Sequence, residues 1–184
     1  LTDVGSPTGI RSACYTRAGD RQKPSRMGQE VERKFLVADP SFLTSLSGSQ
    51  VKQGYIPGKT RSAARIRVRD GIGFLTLKSE TRGITRSEFE YEIPLDDAEE
   101  MLDGLCEPPL IEKTRYFVEW KGYAWEIDVF HGDNEGLIVA EIELASADQA
   151  FAKPPWLGRE VSLDARYFNS NLARTPYVDW RNSV

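Results

Sequence analysis

The sequence predicts a mainly β, α+β fold: an eight-stranded antiparallel β-barrel, closed on itself, with a few peripheral helices. Three observations predict it. Most of the chain after residue 27 alternates apolar and polar residues with the two-residue period of a strand. The alternating runs are joined by short hairpin signals, with no strand–helix–strand rhythm of a parallel sheet. Nearly every run also keeps its charges on one parity, and closure would leave no sheet edge exposed.

The elements follow in order. Residues 1–26 are polar, with scattered Gly and Pro and no period, and are expected to be a disordered leader or a remnant. Residues 27–184 are expected to form one domain. "EVERKFLV" (30–37) reads as the first strand. "ADPSFLTSL" follows as a helix, with Asp39 as N-cap and Pro40 in its first turn. "VKQGYI" (51–56) is the second strand. "AARIRVRDGIGFLTLKSE" gives two strands around Asp70-Gly71, a strong tight-hairpin signal. "TRSEFEYEIPL" is a fifth strand, and "DDAEEMLDGL" (96–105) a helix with acids in its first turn. "IEKTRYFVEWKGYAWEIDVF" gives two strands around Lys121-Gly122, and "GLIVAEIEL" (136–144) an eighth. "SADQAFA" carries a capping-box pattern at Ser146 and Gln149. "PPWLGREVS" reads as a loop, and residues 162–174 as a last short helix.

Composition narrows the function. The chain has 184 residues, 40% hydrophobic and 28% charged, with a formal net charge of −4. That balance gives no electrostatic reason to expect nucleic acid or an anionic membrane as partner. No apolar run is long enough to span a bilayer, and a cytoplasmic location is expected. Cys14 and Cys106 form no CxxC pair, and His131 is the only histidine, beside a turn. A zinc site or a disulfide scaffold is therefore not expected. Trp120, Trp125, Phe117 and Tyr116 are expected on the outer packing surface, or at a homodimer face.

The charges carry the chemistry. Side chains two residues apart share a strand face. Glu30, Glu32 and Lys34 share one face, as do Arg65, Arg67 and Arg69, and Thr76 with Lys78. So do Glu88, Glu90 and Glu92, then Lys113 with Arg115, Glu126 with Asp128, and Glu141 with Glu143. A solvated face explains alternation but not the sorting of acidic and basic residues onto different strands. A charged lumen with apolar outer walls explains both. Unpaired buried charges cost several kcal/mol each, roughly, so such a lumen needs a charged occupant. Carboxylates without His or Cys suit hard divalent cations, Mg²⁺ or Mn²⁺. Arginine and lysine clusters suit phosphate oxygens. Together they suit a polyphosphate–metal complex. No GxxxxGK[ST] loop is present, which excludes a P-loop NTPase.

At this point "EVERKFLV", "QGYI", "RIRV", "LTLKSE", "TRSEFEYEI", "IEKTRY", "EIDVF", "VAEIEL" and "PPWLGREVSLDARYFNSNLA" make the chain resemble a known family. It is similar to the CYTH domains, or triphosphate tunnel metalloenzymes, and closest to their short bacterial members. The resemblance runs in order over about residues 28–175. It implies an eight-stranded tunnel that hydrolyses inorganic triphosphate to pyrophosphate and phosphate with a divalent metal. By motif, Glu30, Glu32, Glu141 and Glu143 would hold the metal. Lys34, Arg65, Arg67, Lys78, Lys113, Arg115 and Arg166 would grip the triphosphate. Glu88, Glu90 and Asp128 would hold a second metal or orient the attacking water, with Lys34 also catalytic. Arg166 and Tyr167 fall in the segment that caps the tunnel, where Ala165 stands in place of a lysine many relatives carry. The family also implies rivals: a class IV adenylyl cyclase, an organic triphosphatase acting on nucleoside or thiamine triphosphate, or a non-catalytic polyphosphate-binding module.

Overall fold

Two hairpins set the register of the sheet. Asp70 (φ 50°) and Gly71 (φ 77°), then Lys121 (φ 49°) and Gly122 (φ 80°), both adopt the left-handed pairs that two-residue hairpin turns require. The structure, a computed structural model, describes residues 11–12, 29–58, 62–80 and 82–183. The strands are β1 (Arg11–Ser12), β2 (Gln29–Val37), β3 (Ser49–Ile56), β4 (Ala63–Arg69), β5 (Ile72–Lys78), β6 (Thr85–Ile93), β7 (Ile111–Trp120), β8 (Tyr123–Phe130), β9 (Ile138–Glu143) and β10 (Leu157–Glu160). The ring runs β7-β3-β4-β5-β6-β2-β9-β8, and pairing of β8 with β7 closes it. Each of these pairings is antiparallel. The expected eight-stranded barrel is therefore present. β1 adds to β7 and β10 adds to β2. The expected leader lies outside the described residues except for β1.

The outer faces carry the core, as the alternation requires. Helix α1 (Leu95–Gly104) lays Ala98 and Leu102 on Ile66 of β4. Behind α1 the chain presses on β3 so closely that a Cβ at Gly54 would lie 2.7 Å from atoms of Cys106 and Leu110. On the far side Phe35, Trp125, Ile127 and Ile142 pack under Leu43 and Trp156. Trp125 is fully buried there, and Tyr116 and Trp120 pack against the same cluster. Phe117 differs from expectation: it pairs with Glu126 and shares the face of Lys113 and Arg115. The large apolar side chains left exposed on the barrel wall are instead Leu77, Phe89 and Tyr91.

Four other local expectations are corrected. Residues 39–46 make only a single 3-10 turn, Ser41–Ser45. Asp39 does accept a hydrogen bond from the Ser41 N–H (2.9 Å), but Thr44 and Ser45 bond back to backbone carbonyls and Leu46 is extended. The 146–149 capping pattern closes a turn and no helix: Gln149 accepts from the Ala145 N–H (2.6 Å), and Pro154 follows too soon for a helix to propagate. The expected loop after Pro155 contains β10, whose backbone partner is the edge of β2. The expected helix 162–174 splits at an extended Phe168 into a 3-10 turn (Ala165–Tyr167) and α2 (Asn169–Leu172).

That split places a floor under the barrel. At one end the inward rows turn apolar: Leu36, Tyr55, Ile111, Phe130 and Val139. Leu172, Ala173 and Tyr167 pack across them. No helix among the described residues is long and apolar enough to cross a membrane.

Candidate active site

Strand parity brings the charged rows together inside the barrel. They surround a cavity of about 460 Å³ lined by Glu30, Glu32, Lys34, Arg65, Arg67, Arg69, Lys78, Arg86, Glu88, Glu90, Arg115, Glu126, Glu141 and Glu143. Phe168, Asn169 and Ser170 contribute the floor side. Lys113 and Asp128 lie one layer behind this lining, fully buried.

The register explains which charges meet. On the acidic side β2 and β9 set Glu32 opposite Glu143 and Lys34 opposite Glu141. The Lys34 ammonium bridges the two strands, 2.6 Å from Glu32 and in contact with Glu141. Burial works against this ammonium, but Glu141 and Glu32 more than offset it and hold its pKa above the ordinary lysine range. Burial alone would raise the Glu141 carboxyl, yet Lys34 and Arg115 hold it well below the usual carboxylate range. Glu143 stands exposed at the rim.

Arg115 is the hub between the walls. Its Nε and Nη2 donate to Asp128 Oδ1 and Oδ2, both at 2.6 Å. It also donates to Glu141 (3.1 Å) and to Glu126. The Lys113 ammonium donates to Asp128 Oδ2 as well (2.6 Å). Both Asp128 oxygens accept from these cations, so this carboxylate sets the direction of Arg115, and it is not among the residues that line the cavity.

The basic side is less well compensated. Glu90 receives Arg67 (2.8 Å), Arg65 (3.2 Å) and the Thr76 hydroxyl (2.9 Å) at one oxygen. Yet the Nε donors of Arg65 and Arg67, both buried, have no hydrogen-bond partner. Burial, then repulsion from Arg65, pulls the Arg67 pKa down to about 9. Burial likewise lowers Lys78, and pulls Lys113 down to about 8 despite Asp128. For each of these cations burial outweighs the paired carboxylate.

Glu88 lies between the walls, 2.5 Å from Lys78. Burial would raise its carboxyl, but a hydrogen bond with Glu30 and the charges of Lys78 and Arg65 draw it from 4.5 down to about 2. A folded pKa below the unfolded one adds stability above pH 4.5 that is lost as pH falls toward 2. Chemical denaturation at pH 6, 4 and 3 is expected to show unfolding free energy falling across this window in the wild type and less so in Glu88→Gln. Identical slopes would refute it.

The structure adds residues that the sequence reading passed over. Arg86 shares the parity of Glu88 and pairs across strands with Glu30, to which its Nε donates at 2.6 Å. Gln53 also points inward, fully buried like the expected Thr76, and Tyr55 lines the cavity. Conversely, Arg166 is not brought to the site. It is exposed, donates to Asp164 (2.7 Å) and lies over the Trp180 ring. Tyr167 is buried in the floor cluster.

Among the described residues no three carboxylates converge as a preformed cage for a divalent ion. The reason is visible: Glu30, Glu32, Glu88 and Glu141 are each drawn onto a basic side chain. The stand-in cations nonetheless mark positions that suit one. The Arg86 guanidinium reaches Glu30, Glu32 and Glu88 within 2.6, 4.0 and 3.9 Å. Hard oxygen donors around a cation position fit Mg²⁺ or Mn²⁺.

Known proteins share this arrangement of strands. An inorganic triphosphatase of Acetivibrio thermocellus is 46% identical over 155 residues, spanning 84% of this chain and 99% of its own length. One of Nitrosomonas europaea is 42% identical over 149 residues, 78% of this chain and 96% of its own. The crystal structure of the inorganic triphosphatase NE1496 superposes with a TM-score of 0.58 at 40% identity, covering 78% of this chain and 93% of that one. The CYTH domain itself matches residues 28–176, which is the barrel and its floor, and the chain belongs to that family.

Proposed function

We propose that this chain hydrolyses inorganic triphosphate to pyrophosphate and phosphate inside the barrel, with Mg²⁺ or Mn²⁺. The observation that carries the reading is the pair of buried, partnerless Nε donors on Arg65 and Arg67, on a wall where burial and the neighbouring Arg65 guanidinium disfavour the Arg67 charge. A small polyanion would accept from those donors and relieve that repulsion. The relatives named above are inorganic triphosphatases, which supports the same substrate.

Arg65, Arg67 and Lys78 would bind phosphate oxygens from one wall, and Arg115 and Lys34 from the other. Arg115 arrives aimed, because Asp128 holds two of its nitrogens. Such fixed cations stabilise charge on the transferring phosphoryl group without reorganising as it reacts. Glu30, Glu32, Glu141 and Glu143 would hold the metal, which when bound neutralises and polarises phosphate oxygens. A water oxygen attacks the terminal phosphorus, the P–O–P bond breaks, and pyrophosphate leaves while the water's proton is lost to solvent. Glu88, whose carboxyl is drawn down by Glu30, Lys78 and Arg65, would orient that water as a carboxylate. A loose transition state asks for little more.

The test is release of phosphate from tripolyphosphate with Mg²⁺ or Mn²⁺. Chelation should abolish turnover. Glu32→Ala and Lys34→Ala should each lower kcat by about 10²-fold or more. Unchanged rates in both would sink the assignment. ATP separates the cyclase rival, since cyclic AMP with pyrophosphate marks a cyclase and orthophosphate a hydrolase.

A further inference from the structure

Arg86 occupies an unusual place on β6. It stands in register with Glu30, in a row whose other inward charges, Glu88, Glu90 and Glu92, are all acidic. Its guanidinium touches Glu30 and stands within 4.0 Å of Glu32 and Glu88. Burial opposes its charge, yet Glu30 and Glu32 hold its pKa above the ordinary arginine value. Lys34 and Lys78 flank the same carboxylates, 2.6 Å from Glu32 and 2.5 Å from Glu88. Three carboxylates this close repel one another unless a cation stands among them.

We infer that Arg86 is the resident counter-ion of the metal site: its guanidinium stands on Glu30 and beside Glu32, two of the carboxylates that would hold the metal, and must be displaced when a divalent cation binds. This rests on the proposed metal-dependent reading. The charge arithmetic gives the consequence. A divalent ion entering beside Arg86 meets a fixed positive charge a few ångströms away. Metal alone therefore binds weakly. An arriving polyanion gives the displaced guanidinium a new partner, so metal and triphosphate load together and neither fills the tunnel well by itself. A guanidinium suits this exchange, because its planar fork matches phosphate as well as carboxylate.

The experiment is Mn²⁺ binding to the full chain without phosphate, read from the electron paramagnetic resonance signal of free Mn²⁺ at fixed ionic strength. Arg86→Gln is expected to bind Mn²⁺ on the order of tenfold or more tightly than wild type, because one nearby positive charge is gone. Arg86→Lys, which keeps the charge, should stay near wild type. Equal or weaker binding by Arg86→Gln overturns the inference. A second measurement needs no variant. In wild type the Arg86 Nε–H resonance, protected by Glu30, should shift and exchange faster as diamagnetic Mg²⁺ saturates the site. A resonance unmoved by saturating Mg²⁺ overturns it. The two readings fail separately. If the wild type turns over tripolyphosphate and Arg86→Gln binds Mn²⁺ no tighter, the proposed function stands and the counter-ion role falls. Absence of turnover overturns the function itself.

Discussion

Arg115→Met is expected to cost about 3–5 kcal/mol of stability, the loss seen when one partner of a buried ionic network is removed. Asp128 is the reason. It is fully buried, and Arg115 supplies two of its three charged hydrogen bonds. Without Arg115 the carboxylate keeps only Lys113, whose own charge is already weakened by burial. Glu141 loses one of its two cations at the same step. For a domain of this size the melting temperature should fall by roughly 6–20 °C. Asp128→Asn with Arg115→Met should recover part of the loss, because the stranded charge is removed with its partner. Thermal and chemical unfolding of the single and the double variant checks this. A single variant as stable as wild type, with no recovery in the double, would show that Arg115 is not the hub. Activity should vanish in both, since Arg115 also faces the cavity.

Much of this was legible in the chain itself, and for identifiable reasons. The Asp70-Gly71 and Lys121-Gly122 turns are local signals, so four strands could be placed without knowing the fold. Alternation then put each charged row on one face, and closure brought the rows together. What escaped depends on contacts between distant segments. Arg86 continues the parity of Glu88, but an acidic strand hid it, and its meaning comes from the register opposite Glu30. The floor escaped because parity was read for charge alone, while Ile111, Phe130 and Val139 extend the same rows as apolar residues. β10 has Pro154, Pro155 and Gly158 in or near it, all loop signals, and exists because β2 offers an edge. Arg166 was placed by resemblance. Its neighbour Asp164 claims it, and the break at Phe168 turns only Phe168, Asn169 and Ser170 toward the cavity.

Arg67→Met is expected to separate function from stability in the opposite way to Arg115. Arg67 is as buried as Arg115 and equally cationic, yet its environment is its mirror image. Burial and the charges of Arg65, Arg115 and Arg69 depress its pKa to about 9, with only Glu90 opposing them. Below that pH the guanidinium is charged in folded and unfolded chains alike, so the folded state carries the repulsion at neutral pH. Removing it strands little. Glu90 keeps Arg65 at 3.2 Å and the Thr76 hydroxyl at 2.9 Å. Methionine can fill the volume of the arginine stem over the Phe74 ring. Stability should therefore stay within about 1 kcal/mol of wild type or rise. Turnover of tripolyphosphate should still fall by about 10²–10³-fold, because a preorganised donor to the transferring phosphate is lost. Arg67→Lys should restore only part of it, since lysine keeps the charge but not the planar fork. Denaturation curves and kcat/KM on the same preparations decide the matter. A destabilised Arg67→Met with normal kcat/KM would mean that the crowded basic wall serves the fold; a stable and inactive one means that the repulsion is held in reserve for the substrate.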